Sequence, residues 1–491
     1  MRGRIRRSIR RTREYCHVSR ALAVFAAVLV LAPGAARAAT VSPPPPEHRA
    51  DPALTTYVQL AGPFQIGAYD TLSEAVKVMP PPLPGAIVAM DARLVDARGA
   101  VIPQHVAMLH HLVFTNGGPD GRRGDPACPL STTRERFWGT SEELRPLTLP
   151  RGYGYPTSPA DAWRALLMVM HHRAGDRELF LEYRVTVDPR PTIPVKPYWL
   201  SVVPCVPDPQ WSVPGGAKGE HLRSRTFAMP EAGRIVAAGG HLHGGALELR
   251  LSQPACDDRT LVRTRPSYAP AGDPLYAVRP LLHEPDPKGI GWWQSATGWP
   301  IRAGERLTVT AAYDATRPHT RVMGIDHVYV APPAAGRQPR CAPAPPDAQV
   351  LGPDFRGARA TPPRIELTLA RLGSDGVARP TTRALDPAEV VAGDVHVTVD
   401  DHAFRPAHLT VPRGAIVRWR FAERVKHDVT LAAGPLGFGS PWLSAGGRYH
   451  RRFTEPGTYL LQCSLHAAFM SQVVNVMPGP PPHPGADPLP R

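Results

Sequence analysis

Four residues near the C-terminal end of the chain could hold a metal ion together. Cys463, His466 and Met470 stand close to one another in the run LQCSLHAAFM, and His427 lies upstream in VKHDVTLA. One thiolate, two imidazoles and a thioether are the ligand set of a blue-copper site, which exchanges one electron at a time. The run therefore predicts a type 1 copper, whose electrons must be used elsewhere in the chain or in a partner.

The residues around this set favour a small β-sandwich. Residues 391–478 contain about seven short strand-like segments separated by Gly and Pro turns, which is typical of a Greek-key sandwich. Over this whole range the sequence resembles the cupredoxins of the plastocyanin and pseudoazurin kind. The resemblance implies that His427, Cys463 and His466 are equatorial copper ligands and that Met470 is the axial ligand.

Histidines also recur upstream, in the runs MLHHLVFTN, VMHHRAGDRE and GGHLHGGALE. His241 and His243 are two apart on a predicted strand, so both imidazoles leave the same face. Adjacent histidines on a regular strand point to opposite faces, so His110 and His111 could share a metal only at a bulge or a strand end. Each pair could equally be a surface pair near a turn.

A methionine follows these runs in RVMGIDHVYVAP, where Met323, Ile325 and His327 alternate onto one face. A lone methionine on a strand is more often part of the core than a ligand. The ordered set of motifs, however, resembles the copper type II, ascorbate-dependent monooxygenases, the family of peptidylglycine-hydroxylating and dopamine β-monooxygenases. The resemblance implies two β-sandwich domains that each hold one copper.

In that family one copper transfers electrons and the other binds dioxygen and hydroxylates a C–H bond. By resemblance, the first copper would be held by His110, His111 and His171. His171 is preferred to His172, because family members place a non-ligand residue directly after this ligand. The second copper would be held by the catalytic residues His241, His243 and Met323.

The chain departs from the family where peptide substrates are held. Gly239 stands where amidating members carry an arginine that grips a carboxylate, and Ile325 and His327 replace an asparagine and a tyrosine. A small-molecule or peptide-like substrate is therefore expected, without an anchor for a peptide C-terminus. His327 could support the copper or be an ordinary satisfied histidine. The other polar residues considered are assigned structural or solvated positions: His105, His221, His283, His319, His402, His408, His450, Asp176, Asp326 and Glu248.

Apolar and polar residues alternate with a period of two in many segments of the chain, and no long amphipathic helix is predicted. The predicted fold class is therefore all-β. Leu179, Leu181, Tyr183, Val185 and Val187 share one predicted face; other such faces are Leu247, Leu249 and Leu251, and Leu307, Val309 and Ala311. We predict two tandem β-sandwich domains followed by a Greek-key cupredoxin sandwich. The expected ranges are 52–205, 206–335, a Pro-rich linker at 336–390, the cupredoxin at 391–478 and a disordered tail at 479–491.

The N-terminal residues 1–38 combine arginines, a short apolar run and Ala36-Arg37-Ala38, which predicts a signal peptide cleaved near Ala38 and an exported protein. No other segment is a candidate membrane span. The formal net charge of +15 includes +8 from this segment, which leaves about +7 without a basic block and argues against nucleic-acid binding. Four cysteines (Cys128, Cys205, Cys256 and Cys341) predict two disulfides in one of three connectivities.

Together these patterns predict an exported copper-dependent monooxygenase that uses dioxygen and an external electron donor. The cupredoxin would relay electrons, and the linker would keep it at high effective concentration near the core. The alternative is a non-catalytic exported copper-binding, electron-transfer protein. Copper content separates the two hypotheses, because the enzyme needs one type 1 copper and two further copper ions.

Overall fold

A computed structural model describes residues 51–129, 132–206, 208–336, 339–352, 361–365, 367–381, 389–390 and 395–479. The predicted signal peptide lies outside these residues, as does nearly all of the predicted tail. Parts of the predicted linker at 336–390 are described and parts are not.

The described residues are almost entirely strands, with short 3₁₀ helices at Pro254–Cys256 and Pro274–Ala277, so the all-β prediction is confirmed. The strands up to residue 201 are β1 (Thr55–Ile66), β2 (Thr71–Lys77), β3 (Gly85–Val95), β4 (Ala107–Asn116), β5 (Glu135–Ser141), β6 (Leu147–Thr148), β7 (Tyr153–Thr157), β8 (Trp163–His171), β9 (Arg177–Asp188), β10 (Ile193–Pro194) and β11 (Lys196–Ser201).

The next group of strands reaches residue 351. These are β12 (Trp211–Val213), β13 (Glu220–Ala228), β14 (Gly233–Leu242), β15 (Ala246–Gln253), β16 (Arg259–Thr264), β17 (Pro266–Ser267), β18 (Gly289–Ile290), β19 (Trp292–Ile301), β20 (Arg306–Asp314), β21 (His319–Val322), β22 (Gly324–Ala331) and β23 (Gln349–Leu351).

The last group of strands ends at residue 477. These are β24 (Leu369–Leu372), β25 (Ala378–Thr381), β26 (Glu389–Val390), β27 (Val395–Asp400), β28 (Ala403–Arg405), β29 (His408–Pro412), β30 (Ile416–Phe421), β31 (Thr430–Ala433), β32 (Arg448–Arg452), β33 (Gly457–Gln462) and β34 (Ser471–Met477).

The first sandwich packs the sheet β1-β9-β3-β7-β10, with β6 also paired to β3, against the sheet β2-β8-β4-β5. Its core confirms the face predicted for β9, since Leu179, Leu181, Tyr183, Val185 and Val187 are all buried. Burying one such side chain contributes about 1.5–3 kcal/mol, so this alternation is enough to specify which face of β9 turns inward.

The second sandwich packs the sheet β11-β22-β14-β19-β23 against the sheet β13-β20-β15-β16. Leu249 and Leu251 enter its core as predicted, but Leu247 does not. The β15–β20 pairing shifts register between Ala246 and Glu248, so a bulge moves Leu247 out of the predicted face.

The third sandwich consists of the sheets β26-β29-β34-β33-β31 and β28-β27-β30-β32. Its core is continuous with side chains of the preceding region, because Met108 and Met170 belong to the same buried cluster as Cys463 and Met470. Backbone contacts join the regions as well, since Gly437 N donates to the Pro214 carbonyl at 2.8 Å. The third sandwich is therefore packed against the core and not only tethered to it.

Two disulfides in the structure identify which of the three possible pairings of the four cysteines is formed. Cys128 pairs with Cys205, and Cys256 pairs with Cys341, which lies within the predicted linker range. Structural disulfides are typical of oxidising, extracytoplasmic compartments. Among the described residues, no helix has the length and apolar character needed to cross a bilayer.

Candidate functional site

The loop after β33 brings the predicted type 1 ligands together. Cys463 Sγ lies 3.7 Å from His427 Nδ1 and 3.5 Å from His466 Nδ1, and the two nitrogens are 3.1 Å apart. Metal bonds to imidazole nitrogen and thiolate sulfur are about 2.0 and 2.3 Å long, so one ion fits between these three atoms. The trigonal His2Cys set has the donor chemistry that selects copper.

Backbone hydrogen bonds fix the loop that carries these ligands. Cys463 N donates to the Met470 carbonyl at 3.1 Å, and Met470 N donates to the His466 carbonyl at 2.9 Å. His427 is held by a reciprocal bridge to Leu443, with both N–H to O distances at 2.8 Å. The Met470 side chain is fully buried in the hydrophobic cluster that includes Cys463.

The protonation of this cluster is set mainly by burial. Burial, with the carboxylate of Asp428, raises the pKa of the Cys463 thiol well above its usual value. Burial and the neighbouring His427 lower the pKa of His466 to about 4, so the imidazole is neutral at pH 7. The nitrogen donors are thus ready to bind, whereas a metal must displace the thiol proton.

Two further residues beside the cluster were not predicted from the sequence. Glu423 Oε1 lies 2.7 Å from His427 Nε2, the position from which a carboxylate orients a ligating histidine. The His402 ring centroid lies 5.1 Å from that of His427 and 4.7 Å from that of His466. His402 had been assigned a structural position because no spacing in the sequence connects it to the two ligands.

Asp428 connects the type 1 loop to the rest of the molecule. Its buried carboxylate accepts hydrogen bonds from Ser464 N at 2.6 Å, Ser464 Oγ at 2.8 Å and Thr430 Oγ1 at 2.9 Å. It also pairs with Arg321 Nη1 at 2.6 Å, and the same guanidinium reaches Asp208 at 3.0 Å. Because Arg321 precedes Met323 by two residues, this network links both candidate sites.

We expect Asp428→Asn to lower the free energy of unfolding by about 3 kcal/mol, because it removes the buried carboxylate of Asp428 and leaves the half-buried Arg321 with a single carboxylate partner. Chemical denaturation followed by the circular dichroism of the mature protein measures this change. The matched control is Asp401→Asn, at a residue exposed on the surface and paired with Arg405. The control should change stability by less than about 0.5 kcal/mol. Equal losses in both variants would contradict a special role for Asp428.

A second cluster lies where the first and second sandwiches meet. His111 Nε2 lies 2.9 Å from His243 Nε2, which lies 3.1 Å from His241 Nε2. His111 is on β4 and His241 is near the end of β14, so strands of two different sheets supply the nitrogens. His243 Nε2 is close enough to either neighbour to share one ion with it, because metal–imidazole bonds are about 2 Å long. His110, His111 and His243 offer possible ligand atoms that all lie within 4.8 Å of one another.

A bulge brings the adjacent histidines of β4 to one side. The β4–β8 pairing shifts register between Leu109 and His111, which makes His110 the extra residue. The rings of His110 and His111 consequently lie 4.2 Å apart between centroids. Burial, with neighbouring histidines, lowers the pKa values of His110, His111 and His243 well below the usual range, so all three imidazoles are neutral.

Met323 faces the same region as this cluster. It lies between β21 and β22, packs with Trp199 and Ile325, and lines a cavity of about 430 Å³ together with His111 and His241. The other walls are mostly apolar, including Leu112, Val113, Leu167 and Met168. Four of the six side chains that the resemblance assigned to the two core copper ions are therefore at or beside one cavity: His111, His241, His243 and Met323.

The buried surroundings of the cavity contain several polar groups. His327 is buried, stacks on Trp199 with centroids 3.9 Å apart, and lies 3.0 Å from Arg145 Nη2. Glu143 Oε1 lies 3.6 Å from His241 Nδ1. Gly239 has no room for a side chain, because a Cβ there would lie 2.3 Å from Trp292. An arginine anchor is thus sterically excluded at this position.

Two carboxylates were wrongly assigned to solvated positions. Asp326 and Glu248 are both buried. Burial raises the pKa of Asp326 to about 7, although Arg145 acts in the opposite direction. Glu248 is turned inward by the same bulge that moves Leu247 out of the core. Asp176 is exposed, as predicted.

The structure does not bring His171 into the histidine cluster. His171 Nδ1 lies 2.9 Å from the Gly67 carbonyl, and the charged groups around the ring are those of Arg177, Arg173 and Asp176. Its neighbour His172 is buried, and burial together with His283 lowers the pKa of His172 to about 3. Successive side chains point to opposite sides at the end of β8, so only one of the pair can face the cluster.

His283, which had also been assigned a structural position, belongs to a third cluster. Glu142 Oε1 lies 3.2 Å from His110 Nδ1 and 3.1 Å from His283 Nε2. Glu142 follows β5, and His283 lies in the connection before β18. The sequence contains no short motif that joins these residues, so only the packing of the sandwiches brings them together.

Comparisons with known proteins give only distant matches. No family model and no curated protein matches the chain. Among solved structures, a purple cupredoxin from Nitrosopumilus maritimus is 26% identical and covers 17% of this chain and 100% of its own, with a TM-score of 0.16. A Cu(I) form of an amicyanin variant is 33% identical over 18% of this chain and 87% of its own, with a TM-score of 0.17. These TM-scores are too low for an inference about the function of this chain.

Proposed function

We propose that the chain is an exported copper-dependent monooxygenase with a fused type 1 copper domain that supplies electrons. The observation that carries the proposal is the position of His243 Nε2, 2.9 Å from His111 Nε2 and 3.1 Å from His241 Nε2, beside a cavity that Met323 also lines. Imidazole and thioether donors suit Cu(I), and copper bound by them would supply the one-electron chemistry that reduces dioxygen.

The overall reaction would convert a substrate C–H bond and dioxygen, with two electrons and two protons, into a hydroxyl group and water. His241, His243 and Met323 would hold the metal, as the resemblance implied. Carboxylates behind the histidines, such as Glu143 near His241 Nδ1, would keep the rings oriented. A second core copper on the His110 side of the cluster would receive electrons before they reach dioxygen.

The cavity supports a substrate with an apolar body. Its walls include Val113, Leu167 and Trp199, which would exclude water from the reacting C–H bond. Since no side chain can be accommodated at Gly239, a carboxylate is not held there. The apolar walls favour a substrate with an apolar body, while Arg136 and Lys426 also line the cavity.

The position of the type 1 cluster supports its role as the electron source. Cys463 lies in the same hydrophobic cluster as Met108, which is two residues from His110. An external donor would reduce the type 1 copper, and the electrons would then cross a packed interface. Both disulfides and the predicted signal peptide support export.

Copper content and oxygen use test the proposal together. We expect the mature protein to bind about three copper ions per chain, with one type 1 and one other signal in electron paramagnetic resonance. With ascorbate as reductant, ¹⁸O from labelled dioxygen should appear in one member of a panel of apolar small molecules, measured by mass spectrometry. One copper per chain without oxygen consumption would overturn the proposal in favour of a non-catalytic electron carrier.

A further inference from the structure

Glu142, His283 and Met108 lie together next to His110, and the proposed function gives these three side chains no role. Glu142 is 1% exposed, and its Oε1 atom faces two imidazole nitrogens, His110 Nδ1 at 3.2 Å and His283 Nε2 at 3.1 Å. The thioether sulfur of Met108 lies 3.1 Å from the same His283 nitrogen. Four possible donor atoms of three chemical kinds therefore meet in one buried place.

We propose that His110, Glu142 and His283 bind a metal ion, with Met108 as a weak fourth ligand, and that this ion is the electron-accepting copper of the core. The inference rests on the proposed function, which needs a second core copper, and it assigns the ligands of that ion. It replaces the His110, His111 and His171 set, of which His171 lies apart.

Burial and charge support a cation at this position. A carboxylate removed from water is strongly destabilised unless it is paired with a positive charge. The groups that meet Glu142 Oε1 are histidine nitrogens, and Asp286 adds a second buried carboxylate, with Oδ2 3.9 Å from His110 Nδ1. A divalent ion among these groups would compensate both carboxylates.

His172 provides an independent observation beside the same group. It is 1% exposed, and neither of its ring nitrogens has a hydrogen-bond partner among the described residues. The titratable groups around its ring include those of His283 and Glu142. A buried imidazole without a hydrogen-bond partner is costly, so His172 marks a position where a bound ion or water nearby would be stabilising.

The proposed site and the oxygen-binding copper site use nitrogen atoms of different histidines. His110 uses Nδ1 toward Glu142, whereas His243 turns its Nε2 atom toward those of His111 and His241. The His110 and His243 rings are 5.4 Å apart between centroids, so the two sites are neighbours. An ion held by His110, Glu142 and His283 therefore leaves His241, His243 and Met323 available for the oxygen-binding copper.

A hydrogen bond from the type 1 strand favours copper over a purely structural ion. Gln462 precedes Cys463, and its Nε2 atom donates to the Leu282 carbonyl at 3.2 Å. Leu282 precedes His283. A path of covalent bonds with one hydrogen bond therefore runs from the type 1 thiolate to a ligand of the proposed site. Imidazole and thioether ligands are also compatible with both oxidation states of copper.

Copper titration of three variants tests the assignment. Apo-protein is loaded with copper, dialysed and analysed for copper per chain, with the type 1 absorption as an internal measure of correct folding. His283→Ala and the near-isosteric Glu142→Gln should each bind one copper fewer than the wild type while the type 1 absorption stays unchanged. The matched control is His319→Ala, since His319 is also buried and lies 2.7 Å from a carboxylate, that of Glu284. It should keep the full copper content.

The outcomes separate this inference from the proposed function. Wild-type protein that binds only the type 1 copper would overturn the proposed function, and with it the need for this site. Wild-type protein with three copper ions and unchanged content in both His283→Ala and Glu142→Gln would overturn the ligand assignment alone. Retention of zinc in preference to copper when both are offered would overturn its assignment as an electron acceptor.

Discussion

Replacement of Cys463 by serine is expected to abolish the intense visible absorption of the protein and to remove one copper per chain. The absorption arises from charge transfer between the thiolate and copper, and a hydroxyl group cannot supply it. His427 and His466 would remain, but two imidazoles without the thiolate do not form a type 1 site. Absorption spectroscopy and copper analysis of the purified mature variant measure both effects.

The control for this variant is Met470→Leu, which removes only the weak axial ligand. We expect it to keep the visible absorption and to change the reduction potential, since the axial ligand tunes that potential. Oxygen consumption supported by a protein electron donor should fall to background in Cys463→Ser and persist in Met470→Leu. Unchanged consumption in Cys463→Ser would exclude the type 1 copper as an obligatory electron relay.

The second large effect is expected for His243→Ala. The Nε2 atom of His243 lies between those of His111 and His241, at 2.9 and 3.1 Å, so its removal takes away the central donor. We expect the loss of one core copper and a fall in substrate hydroxylation of at least about 100-fold. The type 1 absorption should remain, because its ligands belong to a different sandwich.

A histidine in the opposite sheet of the same sandwich provides the control. His221 lies on β13, is partly exposed and belongs to none of the three clusters. His221→Ala should keep both copper content and hydroxylation close to the wild-type values. Unchanged hydroxylation in His243→Ala would refute the assignment of the catalytic cavity, whereas a simultaneous loss of the type 1 absorption would point to a general failure of folding.

The type 1 cluster could be predicted because most of its ligands lie on one short loop. Cys463, His466 and Met470 are within eight residues, so their meeting requires only a turn at the end of a strand. The inward face of β9 was predictable for a similar reason, since strand alternation is a local property. From the sequence, a bulge at His110 could be stated only as a requirement for His110 and His111 to share a metal. Whether the bulge forms depends on the register with the partner strand.

The third cluster could not be predicted, because its members are joined only by packing. Glu142 and His283 are far apart in sequence, and neither lies in a recognisable motif. His172 was passed over in favour of His171 on the strength of the resemblance, although strand alternation turns the two side chains to opposite sides. The connectivity of the disulfides and the burial of Asp326 likewise depend on contacts between distant segments.

The ion pairs of Arg321 with Asp208 and Asp428 have a consequence for kinetics. The third sandwich is held against the core by the ion pairs of Arg321, whose partner Asp428 is fully buried, and by a shared hydrophobic cluster. Under the proposed function, electrons from the type 1 copper would therefore not depend on the diffusion of a mobile domain. Internal electron transfer would then be a unimolecular event at a constant separation. Its rate would depend on neither protein concentration nor solvent viscosity, in contrast to exchange with the external donor.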